Sequence, residues 1–281
     1  MAAATAPVTF TLDLEDHRPS GAADGTERYP DVTRRVLDFL DARRARGTFF
    51  VVGEVAAAHP EVVRDVAARG HEVGLHSWRH VPLTELDPAT LRDEVTRGKA
   101  LLEELSGRTV EGFRAPTFSL VPASRWAVDV LVQVGFTYSS SVLAARSPLF
   151  GDPELPTAPF RWPEGLVEIP CPVARVGDFG IPYLGGVYLR ALPHLASAAA
   201  ERAFGRGQML FIYCHPYDFD DREPYWVVPD VGRLGSRLLW YGRRRTFAKV
   251  DTLLRGRAGA PLGERVAALH DLPTVAPAPS A

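Results

Sequence analysis

The sequence predicts an α/β fold built on a largely parallel sheet, closed or nearly so. Two observations carry this reading. Short β-rich runs alternate with amphipathic helical stretches along most of the chain, the pattern of strand–helix–strand units. Polar clusters recur at the predicted C-terminal ends of strands, where parallel α/β folds gather their chemistry.

Taken in order, Val8–Leu14 (VTFTLDL) reads as a strand ending in acids: Asp13, Glu15 and Asp16, followed by His17. Arg18–Tyr29 is a polar, glycine-containing loop. Pro30-Asp31 opens a helical pattern through Arg46, with Val32, Val36, Leu37 and Leu40 on one face. Thr48–Gly53 is a buried strand, and Val55–Arg69 a helix broken or restarted at His59-Pro60. Next comes His71–His80, HEVGLHSWRH. Its glycine-bounded first part is a strand running into a tight turn. If the chain turns helical there, His76 and His80 share one face and two imidazoles can reach one divalent cation. The HExxH box of zinc proteases does not fit, because Leu75 stands four residues after His71.

Asp87-Pro88 starts a further helix within Pro82–Leu105, with proline at the first helical position. Val110–Pro116 is a short strand ending at Arg114. Trp126–Val134 reads as a helix and Phe136–Ser139 as a strand. Ser147–Pro163 is a proline- and aromatic-rich ordered loop, and Leu166–Cys171 (LVEIPC) a strand. In Asp178–Leu192, Gly185-Gly186 would let the backbone approach a ligand. Ala196–Phe204 is helical, and Gln208–Cys214 is a strand delivering His215, Pro216, Tyr217 and Asp218. Leu234–Arg255 reads as one basic amphipathic helix carrying Arg243, Arg244, Arg245 and Lys249. Its charge run is read first as a solvated face, with an anionic substrate or a peripheral membrane contact as the alternative. Residues 1–257 are read as a single catalytic domain that includes this helix, and the Ala/Pro-rich 258–281 as a disordered tail.

A chain of 281 residues can bury a substantial core as one large or two small domains. The formal net charge of −2 argues against a general nucleic-acid binder. Cys171 and Cys214 alone make no disulfide framework, so two free thiols in a reducing compartment are expected. Met1–Pro7 has neither a basic nor an apolar leader region, and no apolar run is long enough to span a bilayer. The expected location is cytoplasmic.

In a parallel barrel, Asp13/Glu15/Asp16, His76/His80, Arg114 and His215 would converge at one face although far apart in sequence. One acid and two histidines form a three-ligand site with open positions, as catalytic metals require. Such an ion can ionise a bound water near neutral pH. A second carboxylate can take the proton, an arginine can hold that carboxylate, and a separate histidine can protonate a leaving group.

The motifs TLDLEDH, GTFFVVG, HEVGLHSWRH, GFRAPTF and FIYCHP, in that order from about Val8 to Asp218, resemble those of the polysaccharide deacetylases, carbohydrate esterase family 4 with its NodB-homology domain. The DxE opening, the LVEIP strand and GGVYLRALP look closer to the branch of peptidoglycan-deacetylase-like and allantoinase-like proteins. RRRTFAKVDTLL is similar to a C-terminal extension of one bacterial group in that branch. The resemblance implies a distorted (β/α) barrel of the NodB type with about seven parallel strands. It implies Asp13 as general base, Arg114 as its orienting partner, His215 as general acid, and His76 and His80 as metal ligands.

The family commonly has two adjacent aspartates, whereas Leu14 follows Asp13 here; Glu15, with Asp16 as the fallback, is the expected carboxylate ligand. Thr117, Phe118 and Tyr188 are the expected substrate-binding residues. Thr117 stands where many members carry an aromatic residue, and its N–H could help hold an oxyanion. No acid–tryptophan motif is present to tune His215, and Asp178 is the candidate partner.

The implied function is removal of an N-acetyl group from an amino sugar or a glycosylated small molecule, using one divalent ion, zinc first, with Co, Ni or Mn also compatible. The rivals are a ring-opening cyclic-amide hydrolase of the allantoinase kind and a catalytically silent carbohydrate-binding barrel. The second is weakened by the presence of base, acid and metal histidines together.

Overall fold

The computed structural model describes residues 6–17 and 27–275. Most of the expected Arg18–Tyr29 loop and the end of the expected tail lie outside the described residues. In chain order the chain forms β1 (Thr9–Leu14), α1 (Tyr29–Asp41), β2 (Gly47–Val51), α2 (Gly53–Ala58), α3 (Pro60–Ala68), β3 (Glu72–Leu75) and α4 (Pro88–Ser106). Then follow β4 (Gly112–Phe113), α5 (Ala127–Val134), β5 (Tyr138–Ser139), β6 (Phe160–Arg161), β7 (Val167–Glu168), β8 (Ala174–Val176) and β9 (Phe179–Ile181). The last part holds α6 (Gly186–Ala191), α7 (His194–Phe204), β10 (Phe211–Cys214), α8 (Pro216–Phe219), α9 (Gly232–Trp240), α10 (Thr246–Leu254) and α11 (Leu262–Ala267).

β1 is buried along its whole length, as expected of a strand covered by helices and neighbours on both sides. It pairs with β10 through Leu12↔Cys214 and with β2 through Asp13↔Phe50. The main sheet runs β10-β1-β2-β3-β4-β5-β7-β6. Every pairing from β10 through β7 is parallel, giving seven parallel strands; β6 adds antiparallel at the edge.

The expected distorted barrel of about seven parallel strands is borne out, with its closure incomplete: among the described residues no pairing joins β10 to β6, and the sheet is an open half-barrel. β4, β5, β6 and β7 are each two residues long. One bridge, Gly185 to Tyr213, instead lays the chain after the β8–β9 hairpin along the free edge of β10. A Cβ at Gly185 would fall 2.0 Å from the Tyr213 ring, so only glycine permits this approach.

The helices cover the sheet with apolar faces. α1 buries Val32, Val36, Leu37 and Leu40. α4 starts where expected, with the Asp87 carboxylate accepting from the amides of Ala89 and Thr90. The His59-Pro60 break separates α2 from α3. Cys171 and Cys214 are free and fully buried.

Two further expectations change. Leu234–Arg255 is not one helix: Tyr241 leaves α9 in an extended conformation, Gly242 is left-handed (φ 74°), and a short turn over Arg243–Arg245 leads into α10. Nor is its charge simply solvated. Arg243 is buried against Glu223 at 2.6 Å, and the Lys249 ammonium donates to the carbonyls of Leu189, Arg190 and Leu192. Residues 258–275, expected to be disordered, are ordered and pack across the N-terminal ends of the strands. Leu262 is fully buried, its amide donates to Thr48 Oγ1, and the amide of Gly263 donates to Glu72.

Candidate active site and metal centre

Because the seven strands are parallel, their C-terminal ends open on one side of the half-barrel. Asp13 and Glu15 leave β1 there, His76 and His80 follow β3, Arg114 follows β4, and His215 follows β10. The helix expected to carry His76 and His80 is absent. They lie in a loop in which Ser77 (φ 61°) and His80 (φ 57°) are left-handed, a costly conformation for non-glycine residues and one that clusters at functional sites. The loop is pinned by the Ser77 carbonyl accepting from Gly53, the Trp78 carbonyl accepting from Glu54, and Ser77 Oγ accepting from the His80 amide. These contacts put the two imidazoles together in place of helical periodicity; their ring centroids are 4.9 Å apart.

Glu15, His76 and His80 form the one cluster of three or more potential metal-binding side chains among the described residues, with ligand atoms all within 4.8 Å of one another. Glu15 Oε2 is 2.5 Å from His80 Nε2 and 3.6 Å from His76 Nε2. That oxygen is buried and accepts no well-directed hydrogen bond. His76 is oriented from behind, its Nδ1 2.8 Å from the carbonyl of Arg114, which leaves Nε2 facing Glu15. A buried, unsatisfied carboxylate oxygen facing two imidazole nitrogens fits a divalent cation. Burial pushes the Glu15 carboxyl up, but His80, His215 and His76 more than offset this and hold it well below the usual range. Burial pulls His80 down and Glu15 outweighs it, so its pKa is raised. Asp16 lies outside the cluster, beside His17.

Asp13 is buried and bound by Arg114 at 2.6 Å. The guanidinium is held in turn by Thr11 Oγ1 (2.8 Å), the Ser140 carbonyl (3.2 Å) and Ser140 Oγ (3.1 Å). Ser140 is fixed by its neighbours, since the buried Glu168 accepts from the amides of Ser141 and Val142. The glutamate of LVEIP therefore shapes the wall behind Arg114.

His215 Nε2 faces the cluster, 3.9 Å from Glu15 Oε1. Its partner is Asp218, whose Oδ2 lies 2.9 Å from Nδ1 and also accepts the His215 amide at 2.8 Å. Asp178 is not the partner: it sits exposed in the β8–β9 turn beside Arg146. Asp218 is itself paired with Arg190 at 2.9 Å, both side chains fully buried. Burial pushes Asp218 up, but Arg190 and His215 outweigh it and bring it down to about 2. Burial opposes charge on His215, yet Glu15, Asp218 and Asp13 together raise its pKa to about 9.

Around His215, Tyr217 stacks on the ring (centroids 4.6 Å, 7° between planes), and Tyr213 meets it edge-on. Phe118 packs against Tyr213 at 5.2 Å. Thr117 and Phe118 are consecutive left-handed residues, so the turn after Arg114 aims a strained backbone at this wall. Tyr188 lies on α6, part-exposed and near enough to Tyr213 to affect its hydroxyl. Asp218, Arg190 and Tyr217 were not among the expected site residues. The signal for Asp218 was the His-x-x-Asp spacing in HPYD; for Arg190 the sequence offers none.

Three potential metal ligands thus lie at the C-terminal ends of the strands of an α/β half-barrel, beside an Arg-bound aspartate and an Asp-bound histidine. Residues 21–139 match the family model described as polysaccharide deacetylase, and residues 140–258 match a domain of unknown function, DUF3473. Over residues 21–139 the chain is similar to the polysaccharide deacetylases.

It is 34% identical over 102 residues to a chitooligosaccharide deacetylase of Bradyrhizobium, covering 36% of this chain and 44% of that protein. It is 28% identical over 103 residues to a peptidoglycan-N-acetylglucosamine deacetylase of Bacillus cereus, covering 36% and 38%. The chain thus spans less than half the length of these curated relatives. The fold is shared with a candidate polysaccharide deacetylase from Mycobacterium smegmatis (TM-score 0.61, 23% identity, 98% of both chains). It is shared too with a family 4 carbohydrate esterase from Streptomyces lividans, solved with acetate (TM-score 0.51, 19% identity, 92% and 93% covered).

Proposed function

We propose that the chain is a metal-dependent hydrolase that removes an N-acetyl group from an amino sugar. The observation that carries this reading is the Glu15/His76/His80 cluster in one site with a buried Arg114–Asp13 pair and a His215 held by the buried Asp218. Glu15, His76 and His80 would hold one divalent cation, which when bound supplies Lewis-acid polarisation of water and of the amide carbonyl. Asp13, fixed by Arg114, takes the proton from the attacking water. His215, protonated and held at Nδ1 by Asp218, gives its Nε2 proton to the departing amine. Tyr217 and Tyr213 hold the imidazole in place. The relatives named for chitooligosaccharides and for peptidoglycan N-acetylglucosamine support an N-acetylated glucosamine unit as the substrate class.

The test is metal content together with acetate release from a panel of N-acetylated sugars and chitooligosaccharides, on wild type, His76→Ala and Asp13→Asn. One equivalent of metal is expected in wild type, lost with acetate release in His76→Ala. Asp13→Asn should keep the metal and lose turnover by about 10²–10⁴-fold. Metal without acetate release from any sugar would point to ring opening of a cyclic amide. Protein that neither contains nor takes up metal would sink the catalytic reading.

A further inference from the structure

α9 is built inside out. Its inward residue Ser236 is fully buried, the hydroxyl accepting from the Val228 amide at 2.9 Å and donating to the Gly232 carbonyl at 2.6 Å. Two of its three leucines face solvent: Leu234 is 74% exposed and Leu238 48%. With Val231 (47%) just before the helix and Tyr241 (51%) just past its end, they make a run of exposed apolar residues at spacings of three, four and three. Scattered apolar residues at a surface need no explanation, but a contiguous run marks a contact site.

The charge around the run says what it contacts. From Gly232 to Arg245 there are five arginines and no acid, in a chain whose net charge is −2. Arg243 is used internally by Glu223, while Arg233, Arg237, Arg244 and Arg245 are exposed. Apolar side chains flanked by exposed arginines on a short helix match the interfacial helices that lie in a bilayer surface, leucines among the acyl chains and arginines at headgroup phosphates. A second copy is a poorer occupant. An isologous contact through this run would bring Arg233 and Arg237 of one protomer against those of the other.

We propose that α9, together with the Arg244–Arg245 turn, docks the protein onto an anionic lipid surface. The helix is not a loose appendage. Arg190 Nη1 donates to the carbonyls of Leu239 (2.7 Å) and Tyr241 (2.9 Å), and Trp240 packs edge-on against His17 at 5.7 Å. Docking would therefore hold the mouth of the half-barrel at a fixed distance from the lipid. The proposal rests on α9 and the turns flanking it, and stands or falls independently of the reaction proposed above.

The test is flotation of the full chain with vesicles of phosphatidylcholine alone and of phosphatidylcholine mixed with phosphatidylglycerol. Wild type should float only with the mixed vesicles. Leu234→Ser/Leu238→Ser should abolish flotation while melting temperature and metal content stay as in wild type. Arg233→Gln/Arg237→Gln should weaken binding by roughly thirty-fold, about a factor of five per arginine. The proposal is overturned by absence of flotation, by equal flotation with neutral vesicles, or by undiminished flotation of the leucine double variant. A concentration-dependent dimer that this variant abolishes, without vesicle binding, would overturn it in favour of a second copy.

Discussion

Asp218 is where a single atom decides most at this site. Its Oδ2 fixes the imidazole that would serve as the acid, and its Oδ1 faces the buried guanidinium of Arg190. Asp218→Asn removes a charge that raises the pKa of His215. An acid must be protonated to act, and a lower pKa means the proton is lost sooner as pH rises. The alkaline limb of kcat/KM should move to lower pH, with metal content unchanged; a limb that stays in place would remove Asp218 from that role. The variant also leaves Arg190 buried without its partner, so a stability loss of about 3–5 kcal/mol should accompany the shift.

His71 gives a second, independent handle. It is buried against Phe49, its Nδ1 accepts the Gly47 amide, and burial pushes its pKa down to about 4. Folding thus favours the neutral ring. Its contribution is complete above the unfolded value near 6.5 and is lost as pH falls toward 4, so stability should drop by about 2 kcal/mol between pH 7 and pH 5. Denaturant melts of wild type and His71→Asn at both pH values check this, and an equal drop in the two would show that His71 is not its source.

Much of the site was legible at this scale, because carboxylates and histidines at strand ends have few structural uses. The loop geometry of His76 and His80 was not, since nothing in Ser77 or His80 as residue types announces a positive φ. The Arg190–Asp218 pair was hidden because its partners are joined only through the tertiary fold.

Among the elements, the C-terminal helical region shows how a local signal was overridden. Hydrophobic periodicity runs through residues 234–255 as though the helix were continuous, yet Gly242 breaks it with a φ of 74° and sits against the Arg190 carbonyl, 3.2 Å from where a Cβ would lie. The break is what lets α9 face outward while α10 buries Val250, Leu253 and Leu254. Gly242→Ala should cost at least about 1–2 kcal/mol, because an L side chain must enter the left-handed region. A melting curve gives the number, and a neutral result would mean that the turn relaxes freely. The strands and the helices up to α5 were read closely from period and punctuation, apart from the extent of the shortest strands. The extent of sheet closure was not, because pairing partners are set by the whole sheet and not by any one strand.

The molecule as a whole divides its labour between its two ends. The C-terminal ends of the strands hold the ionisable groups. The N-terminal ends are sealed by the 258–275 segment, which supplies Ala260 as acceptor for Thr9, the amides that reach Thr48 and Glu72, and an Arg265 guanidinium that donates to the Leu210 carbonyl. Conservative damage at that end should lower stability and spare chemistry. Leu262→Ala is expected to cost about 2–5 kcal/mol with kcat per folded molecule unchanged. A fall in kcat with no loss of stability would contradict the division. Composition had suggested a tail here because alanine and proline dominate the last residues, and composition does not register one leucine that finds a slot.

The two thiols lie toward opposite ends of the sheet, Cys214 on the edge strand β10 and Cys171 just past β7, the strand next to the other edge, where its amide donates to the Val142 carbonyl. Both are sealed from solvent, and burial pushes both thiols up. The chain therefore carries its own pair of chemical clocks. A thiol reagent added to the native protein times the opening of each end separately: if both label together the half-barrel parts only by unfolding globally, and if Cys171 labels first its end breathes on its own.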